Sequence, residues 1–160
     1  MKVLLDTTYL LPTVGVNVKE LYKGIPAEIT RKGHQVAISE ITVFELSAKS
    51  SKFIAKGELL PDRVTDGIRS LLYDNTIEKV PVYGLEILLI AFKLRRLLND
   101  FIDCLILSTA INNCDVLITE DREIVAQKKN KEYLSIVLAA NPKFRIQNLS
   151  EFQKHSGFKG

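Results

Sequence analysis

Phe101-Ile-Asp-Cys-Leu-Ile-Leu-Ser-Thr-Ala-Ile-Asn-Asn-Cys-Asp-Val-Leu-Ile-Thr-Glu-Asp121 is the stretch whose reading decides the fold. Its first part is long and largely apolar, which predicts a helix over residues 100–113 with Asp103 in its first turn. Asp115-Val-Leu-Ile-Thr119 then predicts a buried strand, and that strand ends in two acids, Glu120 and Asp121. The chain opens the same way. Lys2-Val-Leu-Leu5 is a short apolar run that stops at Asp6.

Working outward, Gln35-Val-Ala-Ile-Ser39 predicts a second strand, Ile77 to Val82 a third and Phe144 to Gln147 a last short one. Helical patterns fall between them, at about Val18–Arg31, Glu40–Lys56, Pro61–Tyr73, Gly84–Leu98 and Arg122–Ala140. A polar segment containing Pro12 and Gly15 follows Asp6. Strands alternating with helices predict parallel pairing in an α/β sandwich. No repeat or linker interrupts the chain. Residues 1–152 therefore read as one domain and residues 153–160 as a frayed tail.

With 160 residues, 46% hydrophobic and 26% charged, the chain has the composition of an ordinary globular domain and not of a disordered one. A domain of this size buries about 70% of its unfolded surface. Its net charge of +3 does not by itself announce a nucleic-acid binder. Cys104 and Cys114 lack the spacing of a metal or redox pair and read as buried hydrophobes. No signal peptide is visible, and the apolar stretch Leu85–Leu98 is broken by charges. The expectation is a cytoplasmic protein.

Open parallel sheets bind ligands outside the carboxyl ends of their strands. Asp6 and Asp121 stand just past two such ends, and Glu45 lies in the first turns of the helix after another. Asp103 joins them if the start of its helix returns to that edge. Carboxylates gathered in one cleft repel each other unless a cation compensates. Such clusters suit hard ions, Mg²⁺ or Mn²⁺, which polarise a phosphoryl oxygen and activate water. Each acid also has a plainer reading. In it Asp6 ends a strand in a turn, Asp103 opposes a helix dipole, Asp121 caps a helix, and Glu45 pairs with Lys49.

The segments Val3-Leu-Leu-Asp6-Thr-Thr-Tyr-Leu10, Ile38-Ser-Glu-Ile-Thr-Val-Phe-Glu45-Leu46 and Asp103-Cys-Leu-Ile-Leu-Ser-Thr-Ala110, with Leu117-Ile-Thr-Glu-Asp121, resemble the PIN-domain nucleases, including VapC-type toxins. The resemblance runs from Val3 to about Leu149. It implies a three-layer, Rossmann-like sandwich around a parallel sheet of about five strands. It also implies that Asp6, Glu45, Asp103 and Asp121 are the catalytic, metal-binding acids, with Thr119 in support; Thr7, next to Asp6, and Glu120, next to Asp121, are further supporting candidates by position. The implied activity is Mg²⁺- or Mn²⁺-dependent hydrolysis of RNA, often by a homodimer, with a small antitoxin protein as a possible partner. Thr8 departs from the family, many of whose members carry Asn there. The approach Lys93-Leu-Arg-Arg-Leu-Leu-Asn-Asp100 departs from its short Gly-containing turn.

Lys49, Lys52 and Lys56 share a helical stripe with Glu45, which makes them a track for RNA backbone. Arg122 is a further phosphate contact. Ile41, Phe44, Ala48 and Ala55 read as that helix's core face, and Val43, Leu46, Phe53 and Ile54 as a second covered side. His34 and His155 have no catalytic partner motif. Two other readings stay open: a PIN-fold RNA- or partner-binding protein without activity, and a metal-dependent phosphatase. The second is disfavoured because Asp6 is followed by Thr-Thr and not by a second Asp two residues on.

Overall fold

Five short aliphatic runs form the strands: β1 (Lys2–Leu5), β2 (Gln35–Ser39), β3 (Ile77–Val80), β4 (Val116–Ile118) and β5 (Arg145–Gln147). In the computed structural model, which describes Met1–His155, they form one sheet of order β3-β2-β1-β4-β5. Every pairing is parallel, as expected. The central strands are buried on both faces, so they are apolar throughout and not alternating.

Side chains of period two split the core into two layers. Leu4, Ala37, Leu117 and Ile146 face α4 (Leu85–Leu94), α5 (Phe101–Asn113) and α7 (Lys131–Ala140). Val3, Leu5, Val36, Ile38, Val116 and Ile118 face the opposite layer. That layer holds α1 (Ile25–Arg31), α2 (Ile41–Ala55), α3 (Pro61–Tyr73), α8 (Leu149–His155) and a 3-10 helix over Thr7–Val14. A short α6 (Arg122–Ala126) follows β4. Both cysteines are buried and free, and no helix among the described residues is long and apolar enough to cross a membrane.

Several boundaries differ from the sequence expectation, each for a local reason. The helix expected over Val18–Arg31 begins only at Ile25, because Pro26 stands in its first turn and Glu20 takes a positive φ of 67°. The segment before it, expected to be irregular, winds into the 3-10 helix and ends on Gly15 in the left-handed region. β3 stops at Val80, ahead of Pro81, and α4 stops at Leu94. One helix over Arg122–Ala140 is in fact two. Asn130 accepts from the backbone N–H groups of Glu132 at 2.9 Å and Tyr133 at 3.3 Å and so starts α7 afresh.

Part of the segment expected as a tail over 153–160 is helical. Residues 153–155 belong to α8, which is tied down by the fully buried Phe152, by its edge-on contact with His34 and by a Lys128–Glu151 ion pair of 2.8 Å. Residues 156–160 lie outside the described residues. The faces of α2 also need correction. Phe44 is 71% exposed, and Ala48 and Ala55 are exposed, whereas Leu46 is fully buried with Thr42 and Ser50. The helix is rolled so that Leu46 meets the core, and its apolar periodicity is too blunt to have shown this.

Gly67 sets how closely α3 can lie on the 3-10 helix. A Cβ placed there would stand 2.4 Å from the carbonyl oxygen of Thr13 and 2.8 Å from the Cα of Val14, both backbone atoms that cannot swing aside. Forcing extra atoms into packed contacts costs about 1–3 kcal/mol. Gly67→Ala is therefore expected to lower unfolding stability by about 2 kcal/mol in urea titration, with Ser70→Ala on the exposed side of α3 unchanged. Equal stability of Gly67→Ala and wild type would show that α3 is free to move outward.

Candidate active site

The strand order reverses at β1, which has β2 on one side and β4 on the other. A crevice opens at such a switch point, outside the carboxyl ends of the strands. Asp6 follows β1 directly and donates its backbone N–H to the Ile118 carbonyl at 3.1 Å, so the two strand ends are stitched together there. Thr119 and Asp121 follow β4.

Two threonines organise the acids. Thr119, fully buried, donates its hydroxyl to Asp6 Oδ2 at 2.7 Å and accepts the Asp121 backbone N–H at 3.0 Å. Thr7 donates its backbone N–H to Asp6 Oδ1 at 2.7 Å and its hydroxyl to Glu45 Oε2. Asp6 is thus held on both oxygens while it caps the 3-10 helix. Asp121 Oδ1 accepts the Ile124 N–H at 2.9 Å and caps α6. The plain capping role and a place at the cleft are compatible, because the other oxygen of Asp121 is not needed for the cap.

Asp103 sits in the first turn of α5, behind the cap made by Asp100 on the Ile102 N–H at 2.7 Å. Burial pushes its carboxyl up to about 7, and the charges of Asp121, Asp100, Asp6 and Glu45 push it the same way. Burial also raises Asp6, to about 6, with Glu45 adding to the rise and the Thr119 hydrogen bond opposing it. The other three acids named from the sequence therefore all act on Asp103.

One cation is already present. Lys49 Nζ meets Glu45 Oε1 at 2.6 Å. Burial works against the Lys49 charge, yet its bond and attraction to Glu45, with Asp6 and Asp103 behind, raise its pKa overall. Lys49 is thus a partner of the acids, whereas Lys52 and Lys56 are exposed further along α2.

A cavity of about 700 Å³ opens in front of Asp103 and Asp121, walled also by Thr8, Asn99, Asp100, Glu120, Arg122 and Glu123. Arg122 is exposed on that wall, as a phosphate contact needs. Glu120 is held in place on the wall by one of its oxygens. Its Oε1 accepts the Tyr9 hydroxyl at 2.5 Å and the Leu149 N–H at 3.3 Å, which ties the site loop to α8. Tyr9 and the Asn99–Glu123 bond of 3.1 Å across the rim went unread in the sequence. Both depend on partners far apart in the chain, and no local signal announces them.

The donor set is all oxygen and carries more negative charge than Lys49 offsets, which fits a hard divalent ion. Among the described residues no group of three or more acids, histidines and cysteines stands close enough to enclose one. Mg²⁺ suits that spacing, since it keeps several waters and takes only one or two carboxylates. The residues fit a hydrated ion at Asp103 and Asp121, backed by Asp6 and Glu45.

The family model of the PIN domain matches residues 3–130, a span that contains all four acids. Among solved structures, the crystal structure of VapBC2 from Rickettsia felis bound to a DNA fragment from their promoter is similar in fold. It is 18% identical, with a TM-score of 0.59, over 92% of this chain and 98% of that chain. No curated protein matches the sequence.

The raised carboxyls make a stability prediction for the metal-free protein. A carboxyl whose folded pKa lies above its unfolded value contributes fully below about pH 4 and loses that contribution as pH rises through the folded value. For Asp103 the window runs from 3.8 to about 7. In EDTA, Asp103→Asn should become progressively more stable than wild type between pH 4 and pH 8, read as the difference in thermal midpoints. Parallel curves across that window would mean that Asp103 is not held up by its neighbours.

Proposed function

Because the chain belongs to the PIN-domain family, we propose that it is a metal-dependent ribonuclease that hydrolyses RNA phosphodiester bonds at the cleft between Asp103 and Asp121. The observation that carries this reading is the gathering of the four acids at the switch point of the sheet, with Asp6 linked to Glu45 through Thr7 and to Asp121 through Thr119, and Asp103 facing Asp121 across the cleft. Mg²⁺ or Mn²⁺ bound there would supply Lewis acidity toward a phosphate oxygen and lower the pKa of water.

The chain's own residues have distinct tasks in this scheme. Asp103 and Asp121 reach the cleft and would hold the ion. Asp6 is buried and locked on both oxygens, so it fixes the floor of the site and adds negative charge without moving. Glu45 is oriented by Lys49 and Thr7, which suits it to accept a proton from the attacking water. Arg122 stands on the wall to meet a phosphate, and Lys52 and Lys56 extend a basic track along α2. Arg is well matched to phosphate through its planar fork of donors.

The likeness to a VapBC2 complex supports a place in a VapBC-type toxin–antitoxin pair, with a small antitoxin protein as partner and a cytoplasmic setting. A second reading, a PIN-fold RNA- or partner-binding protein without activity, draws on the spacing of the acids, which do not close on an ion as they stand.

Cleavage of a labelled single-stranded RNA separates the two. Wild type with Mn²⁺ should cut, EDTA should stop it, and Asp103→Asn should reduce the rate by at least 100-fold while leaving RNA binding in place. Tight binding with no cutting under any metal would favour the inactive reading, and cutting that survives in Asp103→Asn would remove Asp103 from the mechanism. In the same assay at low salt, Lys52→Glu with Lys56→Glu should weaken RNA binding several-fold. Unchanged affinity would confine the RNA path to the Arg122 side.

A further inference from the structure

The four acids of the cleft are not equally open. Each oxygen of Asp6 accepts from a protein donor, Oδ1 from the Thr7 N–H and Oδ2 from the Thr119 hydroxyl, both at 2.7 Å. Glu45 is engaged on both oxygens as well, Oε2 by the Thr7 hydroxyl and Oε1 by Lys49 Nζ at 2.6 Å. Asp121 uses one oxygen on the Ile124 N–H, and Asp103 lines the open cavity. The cluster thus has one half already bonded within the fold and one half left to the cleft. Lys49 completes the first half. Its side chain is 40% exposed and that of Glu45 only 12%, so the ammonium reaches inward from the rim of α2 onto a nearly covered carboxylate, with Asp6 and Asp103 behind.

We infer that Lys49 is a built-in cation that takes the place of a second divalent ion, so that the cleft holds one ion, at Asp103 and Asp121, and none at Glu45. The inference rests on the metal-dependent reading above and narrows it. Two-ion hydrolytic sites hold their metals roughly 3.5–4 Å apart, so a second ion would need carboxylate oxygens on the Asp6 and Glu45 side. There it would have to displace the ammonium from Glu45 Oε1, and the other Glu45 oxygen already accepts from Thr7. A fixed positive charge at hydrogen-bond distance from the same carboxylate also repels an incoming cation. An ammonium has three donors and no acceptor, so Lys49 supplies positive charge where a metal would, without an open position for water. Engaged in this way, Lys49 is not a phosphate contact, and the basic track along α2 begins at Lys52.

The test is read in metal stoichiometry, with no substrate present. Mn²⁺ is titrated into the metal-stripped full chain by calorimetry, and electron paramagnetic resonance is recorded on the same samples. Wild type should take up one tightly held ion per chain, lost in Asp103→Asn, with the spectrum of an isolated Mn²⁺. Lys49→Met should take up two, with a spin-coupled signal that marks adjacent ions. Lys49→Arg keeps the charge and should return to one, and adding Glu45→Gln to Lys49→Met should remove the second ion. Unchanged circular dichroism checks that each variant folds. If Lys49→Met does not, the neutral but polar Lys49→Gln replaces it with the same expectation. Two ions in wild type, or a single ion in the folded neutral variant, would overturn the inference and leave the metal-dependent reading standing. No ion in wild type would overturn both.

Discussion

Four carboxylates near one another raise each other's free energy, and the structure around them is arranged to hold them there nonetheless. The key bond is the Thr119 hydroxyl, which donates to Asp6 and accepts the backbone N–H of Asp121. It joins the end of β1 to the end of β4 at the one place where the strand order reverses. Thr7 links Asp6 and Glu45 with two donors, its backbone N–H to Asp6 and its hydroxyl to Glu45. A hydroxyl can donate and accept at once, which lets Thr119 bridge the Asp6 carboxylate, which accepts, and the Asp121 N–H, which donates. Lys49 offsets part of the charge, and burial, with the neighbouring carboxylates adding to it, keeps Asp6 and Asp103 raised.

Asp103 depends on a different device. Helix α5 is buried from Cys104 to Ile111, and its apolar residues alone set no preferred rotation. Its buried hydroxyls do. Ser108 donates to the Ile87 carbonyl of α4 at 2.5 Å, and Thr109 lies 3.2 Å from Ser39 at the end of β2. A polar group in a dry core is costly to leave unpaired, so these two bonds select one rotation of the helix out of several with similar apolar contact. That rotation turns Asp103 toward the cleft. Such buried hydroxyl bonds give orientation more than they give stability.

The sequence was legible where chemistry and local pattern coincide. Strands that stop at Asp6 and at Thr119-Glu-Asp121 revealed both the parallel sheet and the acids beside its crevice. The order of the segments carried the family likeness that the match over residues 3–130 bears out. What stayed hidden was long-range. Leu46 was assigned to the wrong side of α2 because the helix carries apolar residues around much of its circumference, so its rotation is set by what it packs against. The late start of α1 turned on the backbone of Glu20, and the order of α8 on Phe152 finding a buried slot beneath His34. Tyr9 reaches Glu120 across most of the chain's length, and nothing near either residue foretells it.

The central claim is that the acids at the switch point exist to hold a cation. Anomalous scattering from crystals soaked in Mn²⁺ tests it without any assay of activity. The account predicts a peak at the mouth of the cleft, within about 2.2 Å of an oxygen of Asp103 or Asp121 and lost in Asp103→Asn. No peak at saturating Mn²⁺, or peaks confined to surface acids such as Asp66, would contradict it and leave the carboxylates as a strained structural junction.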